Sequence, residues 1–203
     1  MASTKHRAAG FSLVEVLVSI VVLSVGLLGM LGMLLAAVRT GNETATFTAA
    51  LNLARELSEK SRMNKGIAAR NDAANAYLVE DWREGAAPDA ASAASAISAG
   101  GACVGPGATC SPAQLATWDV GEWKRRIAKA LPDARLSVCF DEAPWNAAVD
   151  EYTWACSKTG QTLVVKLGWT PRTLRGAKAP SSAAPRLVMQ LVAGEAHDGQ
   201  AGT

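Results

Sequence analysis

The stretch that decides the fold lies near the start of the chain, where residues 11–38 read FSLVEVLVSIVVLSVGLLGMLGMLLAAV. From Val16 to Val38 there are 23 residues without a charge. A helix needs roughly 20 apolar residues to cross the hydrocarbon core of a bilayer. A secretory signal has a shorter apolar region followed closely by a small-residue cleavage site, and none follows here. The stretch therefore predicts a single membrane-spanning helix.

The charges around this helix predict its orientation and limit what the rest of the chain does. Lys5 and Arg7 precede the helix with no acid beside them, which places the N-terminus in the cytoplasm. The whole chain has 20 basic and 18 acidic residues, and Lys5 and Arg7 are two of the basic ones. The remainder of the chain therefore carries no net charge. That balance argues against a nucleic-acid binder. The two histidines, His6 and His197, lie near the chain ends, which argues against histidine catalysis and histidine-bound metals.

Glu15 is the residue that does not suit a plain anchor, because it lies inside the apolar run. An acid in a membrane helix costs roughly 2.5–3.5 kcal/mol at the centre and less near the ends. The next basic residue along the chain is Arg39, too far away to pair with it. Cleavage after Gly10 would leave the amine of Phe11 one helical turn from Glu15. The amine and the carboxylate would then neutralise each other, within a chain or between neighbours.

Residues 10–19, GFSLVEVLVS, resemble the prepilin motif of type IV pilins and type II secretion pseudopilins. The resemblance implies cleavage after Gly10 by a prepilin peptidase and N-methylation of Phe11. It also implies that Glu15 sets the register between assembled subunits. The fold it implies is α+β and type IV pilin-like, with a long N-terminal helical spine, half in the membrane and half soluble. The spine would pack on a small antiparallel β-sheet domain.

The helical pattern continues beyond the membrane segment as an apolar stripe on a polar helix. Its members recur at helical spacing: Phe47, Leu51, Ala54 and Leu57. An unbroken helix from residue 11 to 65 would be about 80 Å long at about 1.5 Å per residue. The predicted divisions are a leader (1–10), a membrane helix (11–38), its soluble continuation (39–65), a globular domain (66–193) and a flexible tail (194–203).

Glycines mark the places where this helix is expected to break or end. Gly41-Asn42 is a candidate break, and Gly66 is the expected end. Gly26, Gly29 and Gly32 have two readings, either close helix–helix packing or a segment that melts locally during assembly.

The globular domain is expected to hold a second helix and four short strands. Ser111 as N-cap, Pro112 and Gln114 predict a helix start, and Leu131-Pro132 predicts its end. The predicted strands are Leu136–Phe140, Tyr152–Cys156, Thr162–Trp169 and Leu187–Val192. Residues 66–84 are mixed, with Tyr77 and Trp82 as anchors, and residues 85–102 are an Ala/Ser/Gly-rich surface loop.

The four cysteines lie on the non-cytoplasmic side by the charge argument, so two disulfides are the first expectation. Three connectivities exist, and we favour Cys103–Cys110 with Cys139–Cys156 because each closes a short local loop. Zinc is the rival reading, but the spacings contain no CxxC pair. Each bridge is expected to stabilise the domain by roughly 2–4 kcal/mol.

Further segments resemble one group of minor pilins, the PilV-like proteins. They are residues 53–64 (LARELSEKSRMN), residues 110–116 (CSPAQLA) and residues 164–169 (VVKLGW). Ser61 departs from the group, where an apolar residue like methionine is expected. The loop 85–102 and the tail after Ala193 depart from it as well.

The sequence contains no GxxxxGK[ST] phosphate-binding loop, no GxSxG elbow and no HExxH zinc helix. The acid pairs Asp141-Glu142 and Asp150-Glu151 are read as solvated loop residues, with calcium binding or acid–base chemistry as the rival. Trp145, beside a proline in a loop, is the tryptophan expected to contact a partner. The chain is therefore not expected to be an enzyme or to bind a cofactor, a metal or a small-molecule substrate.

The resemblance implies a minor pilin that starts in the inner membrane with its C-terminal domain in the periplasm and then joins the cell-surface pilus. It would prime or assist pilus assembly, and so serve twitching motility and adhesion. Its expected partners are other minor and major pilins, the prepilin peptidase, the inner-membrane assembly platform and a tip adhesin. The alternatives are a type II secretion pseudopilin and a single-pass anchored periplasmic sensor or enzyme.

Overall fold

The structure is a computed structural model that describes residues 12–85, 103, 105, 107–171 and 184–193. The predicted leader, Phe11, nearly all of the loop 85–102 and the tail 194–203 lie outside the described residues. The chain divides into two compact units, Met1–Asn42 and Glu43–Thr203. Each unit is described by itself.

The long helix α1 spans Leu13–Met63, 51 residues. The candidate break at Gly41-Asn42 is wrong, because the helix continues through both residues. A glycine in a helix interior costs only about 1 kcal/mol relative to alanine, which the hydrogen bonds on either side offset. Gly66 does not end α1, because it lies within the next helix, α2 (Lys65–Ala68).

Buried Asn64 separates α1 from α2. Its side-chain amide donates to the carbonyl of Pro112 (2.7 Å), at the start of the following helix. The chain is held at this point by a side-chain contact, and the glycine two residues later is not needed for the turn.

The third helix, α3, spans Pro112–Ala130, and its predicted start is confirmed. The Ser111 hydroxyl accepts from the Gln114 amide (3.3 Å), and the Gln114 side chain accepts from the Ser111 amide (2.8 Å). These two bonds form a reciprocal cap. The indole N–H of Trp123 donates to the Leu53 carbonyl (2.8 Å) and so ties α3 to α1.

Four strands form one antiparallel sheet in the order β1-β2-β5-β6. Their bounds are Val79–Arg83 (β1), Arg135–Phe140 (β2), Thr162–Gly168 (β5) and Leu187–Ala193 (β6). A separate two-stranded ribbon pairs β3 (Trp145–Asn146) with β4 (Glu151–Tyr152). The α+β class with a long N-terminal helix is confirmed, and it is consistent with a type IV pilin-like fold.

The strand predictions need three corrections, and one of them is that the two-residue strand β3 was not predicted. The predicted strand Tyr152–Cys156 is wrong beyond Tyr152, because residues 153–156 form a loop held by side chains. Strand β1 was missed, because its sequence VEDWR does not alternate and its pairing with β2 shifts between Val79 and Trp82. Asp81, inside that shift, has a positive φ of 37°.

The core lies where α1 and α3 meet one face of the sheet. The buried positions of α1 are Ala50, Leu53, Ala54, Leu57 and Ser61. The predicted stripe is thus correct for Ala54 and Leu57, and Leu51 is partly buried against the core. Phe47 is 44% exposed, with its ring 6.0 Å from that of Trp169. On β5 the predicted face Leu163, Val165 and Leu167 is buried, and so are Val164 and Lys166 on the other face. A second layer of chain therefore covers the outer side of the sheet.

Candidate functional site

The candidate site begins at the N-terminal turn of α1, where Glu15 lies. Ser12 precedes the helix, and its hydroxyl accepts from the Val14 amide (3.4 Å) while its carbonyl accepts from the Val16 amide (3.3 Å). The exposed amides of a first turn favour a carboxylate nearby. Gly10 and Phe11 lie outside the described residues, so the cleavage site and its new amine stay predictions.

Glu15 is exposed among exposed apolar neighbours. Within the described residues, no hydrogen bond or ion pair reaches its carboxylate. A charge in lipid needs a partner to offset its desolvation. The partner must therefore come from outside the described residues or from another molecule.

The helix around Glu15 leaves its large apolar side chains without cover. Within α1 an 18-residue window has a mean hydropathy of 2.5, and none of it is buried. By length and composition this helix can cross a membrane. The predicted membrane segment thus fits a single-pass anchor.

The hydroxyl groups within this segment are satisfied by the helix itself. Ser19 donates to the carbonyl of Glu15 (2.7 Å) and Ser24 to that of Ile20 (2.7 Å), and Thr40, two residues past the segment, donates to that of Ala36 (3.1 Å). Each bond runs four residues back along the chain, which removes the cost of placing a hydroxyl in lipid. Glu15 is therefore the polar side chain of this segment that still needs a partner.

Because α1 is continuous, its side chains can be assigned to faces at about 100° per residue. Ser19, Gly26, Gly29 and Ala37 fall within about 40° of Glu15. Val22 and Met33 interrupt this face, and Leu17, Leu28, Leu31 and Leu35 lie on the opposite face. Space around the glycines is open, with no described atom within 4 Å of an added Cβ. The Glu15 side of the helix is thus the side on which another helix can approach most closely.

Both cysteine pairs form disulfides in the structure. Cys103 pairs with Cys110 and Cys139 with Cys156, at Cα–Cα distances of 5.8 and 6.3 Å. The second bridge joins the end of β2 to the loop that covers the outer face of the sheet. The bridges thus hold local loops of the globular unit.

A buried ion pair beside the second bridge was missed by the sequence analysis. The Lys166 ammonium, fully buried, donates to an Asp141 carboxylate oxygen (2.5 Å) and to the carbonyls of Thr153 (2.8 Å) and Ala155 (2.7 Å). The reading of Asp141 as a solvated loop acid is wrong, because the covering loop encloses it. Burial raises the pKa of Asp141, but the hydrogen bond from Lys166 and two backbone amides outweigh it and lower that pKa.

Tyr77, a predicted anchor, is fully buried between α1 and α3. Its hydroxyl lies 3.3 Å from the Lys60 carbonyl and 3.4 Å from one carboxylate oxygen of Asp119. The other carboxylate oxygen of Asp119 accepts from the Lys60 ammonium (2.8 Å). Burial is the main cause that raises the pKa of Tyr77 to about 12. This network joins the two helices.

Trp145, the predicted partner contact, lies on the ribbon of β3 and β4 and is 45% exposed. Its ring meets Tyr152 edge to face, with centroids 4.9 Å apart. Its contact with a partner stays a prediction.

No group of three His, Cys, Asp or Glu among the described residues is placed to hold a metal ion. An open cavity of about 220 Å³ lies beside the Cys139–Cys156 bridge, with Trp154 in its wall. The charged residues that line it are paired, Glu80 with Lys158 and Asp81 with Arg135.

Comparison with known protein families gives a match, which lies near the N-terminus. Residues 5–31 match the family model of the prokaryotic N-terminal methylation motif. No curated protein and no solved structure matches the chain. The matched segment contains Gly10, Phe11 and Glu15, and it supports a function of the type IV pilin or pseudopilin kind. The motif implies processing by a prepilin peptidase and assembly with pilus components.

Proposed function

We propose that this chain is a PilV-like minor pilin, an assembly protein and not an enzyme. In this proposal residues 1–10 are a leader removed after Gly10, and the new Phe11 amine is methylated. Residues 11–38 hold the chain in the inner membrane with the N-terminus cytoplasmic, and later pack into the pilus. Residues 39–65 extend the helix, and residues 66–193 form the periplasmic domain that meets other pilins or a tip adhesin.

The observation that carries the proposal is Glu15, an acid on an exposed apolar helix with no partner among the described residues. A lone carboxylate in lipid is costly, and pairing with a neighbour's Phe11 amine relieves that cost. The small residues on the same helix face let the neighbouring backbone come close. Assembly is then favoured because it neutralises a charge that a single chain in the membrane leaves exposed to lipid.

The test compares Glu15→Val with Gly10→Ala in cells that carry the gene at its native level. Glu15→Val is expected to insert and to be trimmed normally, yet to enter filaments poorly. Gly10→Ala is expected to stay untrimmed and to lose function. Ser24→Ala, a polar change on the opposite face, is the matched control and is expected to assemble normally. Normal incorporation of Glu15→Val into pili would refute the role given to the carboxylate.

Intact mass of the membrane-extracted protein tests the processing directly. The expected product lacks residues 1–10, carries one added methyl group and contains two oxidised cysteine pairs. A product that retains the leader refutes the proposal and favours a plain anchored protein.

The N-terminal motif is shared with type II secretion pseudopilins, so the second candidate needs its own experiment. A deletion strain is assayed for twitching and for secretion of folded enzymes. Loss of twitching with intact secretion supports the minor pilin, and the reverse supports the pseudopilin.

A further inference from the structure

The ribbon of β3 and β4 carries a concentration of exposed apolar side chains. In the described part of the unit that begins at Glu43, the exposed large apolar residues are Phe47, Met63, Trp145, Val149 and Tyr152. Three of these five lie within eight consecutive residues. Trp145, Val149 and Tyr152, which are 45%, 60% and 38% exposed, are called the ribbon patch.

A disulfide and a buried lysine hold the segment that carries the ribbon patch. The disulfide Cys139–Cys156 closes the segment that contains it, and Lys166 binds the chain on both sides of the ribbon, at Asp141 and at Thr153. The Thr153 amide also donates to the Pro144 carbonyl (3.0 Å), which closes the base of the ribbon. Contact residues held in this way lose little conformational freedom on binding.

Acidic residues lie beside the ribbon patch in the sequence. Residues 142–152 read EAPWNAAVDEY and contain Glu142, Asp150 and Glu151 but no basic residue. All three acids are exposed, and no ion pair within the described residues reaches Asp150 or Glu151. The nearby Lys158 pairs with Glu80 on strand β1. The patch thus presents aromatic rings beside uncompensated carboxylates.

That combination is complementary to a cationic side chain, and arginine fits it best. A guanidinium stacks on an aromatic face and pairs with a carboxylate at the same time. The same domain already contains one such arrangement, in which the Arg135 guanidinium lies 4.2 Å from the Trp154 ring centroid and pairs with Asp81. Exposed tryptophan and tyrosine are also the residue types that contribute most to protein interfaces.

We propose that the ribbon patch docks on a neighbouring protein subunit through a surface that carries arginine or lysine side chains. Trp145 and Tyr152 supply the apolar contact, and Asp150 and Glu151 attract and orient the cations. The inference rests on the proposed function only for the presence of neighbouring subunits. It concerns the globular domain and adds a second contact, separate from that of α1.

The test places a photoreactive benzoyl-phenylalanine at Trp145, and in a second strain at Val149, in the full chain in its native cells. After irradiation the cross-linked peptide is identified by mass spectrometry. The expected result is a discrete protein adduct from both positions, with a net positive charge in the cross-linked segment of the neighbour. A second copy of this chain that cross-links through its basic segment 124–129, KRRIAK, would be one such neighbour.

Charge reversal gives the decisive comparison. Asp150→Lys with Glu151→Lys is expected to lower the adduct yield at least about tenfold, since like charges now face each other. Glu59→Lys with Glu43→Lys reverses two exposed acids on α1 and is expected to leave the yield within about twofold. An adduct with a neutral or acidic segment, with lipid or with glycan overturns the proposal, and so does equal loss in both reversals.

The same sample reports on the two proposals separately. Its intact mass shows whether the chain was trimmed after Gly10. An untrimmed chain refutes the proposed function, whereas a trimmed chain without a protein adduct refutes the ribbon contact alone.

Discussion

Replacing Lys166 with methionine is the most informative perturbation of the globular unit. Methionine has an unbranched side chain one heavy atom shorter than that of lysine, and it lacks the ammonium that binds Asp141, Thr153 and Ala155. Losing one partner of a buried ion pair costs about 3–5 kcal/mol. The Asp141 carboxylate keeps two backbone amide donors, and the two carbonyls are only partly buried and can be rehydrated. We therefore expect Lys166→Met to lower the unfolding free energy by about 3 kcal/mol, the low end of that range.

The loss is expected to depend on pH. The pKa of Asp141 is lowered in the folded protein, so its stabilising effect is present above its ordinary value of 3.8 and fades as the pH falls through the folded pKa. The difference in stability between the native protein and Lys166→Met is thus largest above pH 3.8 and narrows below it.

Denaturant unfolding of the detergent-solubilised, oxidised protein, followed by tryptophan fluorescence, measures this loss. Lys158→Met is the matched control, because Lys158 lies on the loop that Lys166 binds but forms an exposed pair with Glu80. That surface pair is worth less than about 1 kcal/mol. Limited proteolysis between residues 141 and 157 locates the effect. Equal stability of the two variants, or unchanged protease resistance of this loop in Lys166→Met, refutes the argument that the buried ammonium anchors it.

Three further outcomes are expected. Titration of a Tyr152→Phe variant at 295 nm should show Tyr77 ionising near pH 12. Stability should fall between pH 10 and 12 because the raised folded pKa favours the neutral phenol, and the fall should be smaller in Tyr77→Phe. Ser61→Met should cost about 1–3 kcal/mol by thermal melting, because the site is closed, whereas Ser61→Ala should cost less than about 1 kcal/mol. Replacing Cys139 and Cys156 with serine should lower the unfolding free energy in denaturant by about 3 kcal/mol, since the bridge closes a loop of 17 residues.

The sequence predicted those features that depend on a few neighbouring residues. The cap of α3 needs only Ser111 and Gln114, and the membrane segment needs only a long apolar run. Glu15 could be selected as the site residue for the same reason, because a single acid in that run is visible without a structure.

The remaining features depend on contacts between distant residues. Alternation along β5 places Lys166 on the outer face of the sheet, where a lysine normally meets water. Only the fold shows that residues 153–155 cover it, since the ammonium binds two of their carbonyls. The closed site at Ser61 depends in the same way on packing of α1 against the rest of the domain. Glu15 and Gly26 can be assigned to one helix face only because the structure shows that α1 is continuous between them.

The place of the last strand in the chain constrains the order of folding. The Ser58 hydroxyl on α1 donates to the Leu191 carbonyl on β6, 133 residues later in the sequence. At about 5–20 residues per second, synthesis takes roughly 7 to 27 seconds to produce that partner. Throughout this interval Leu53 and Leu57 have no completed core to enter. The side of α1 that enters the core is thus covered last, and the nascent chain must remain soluble or shielded until its C-terminal strand arrives.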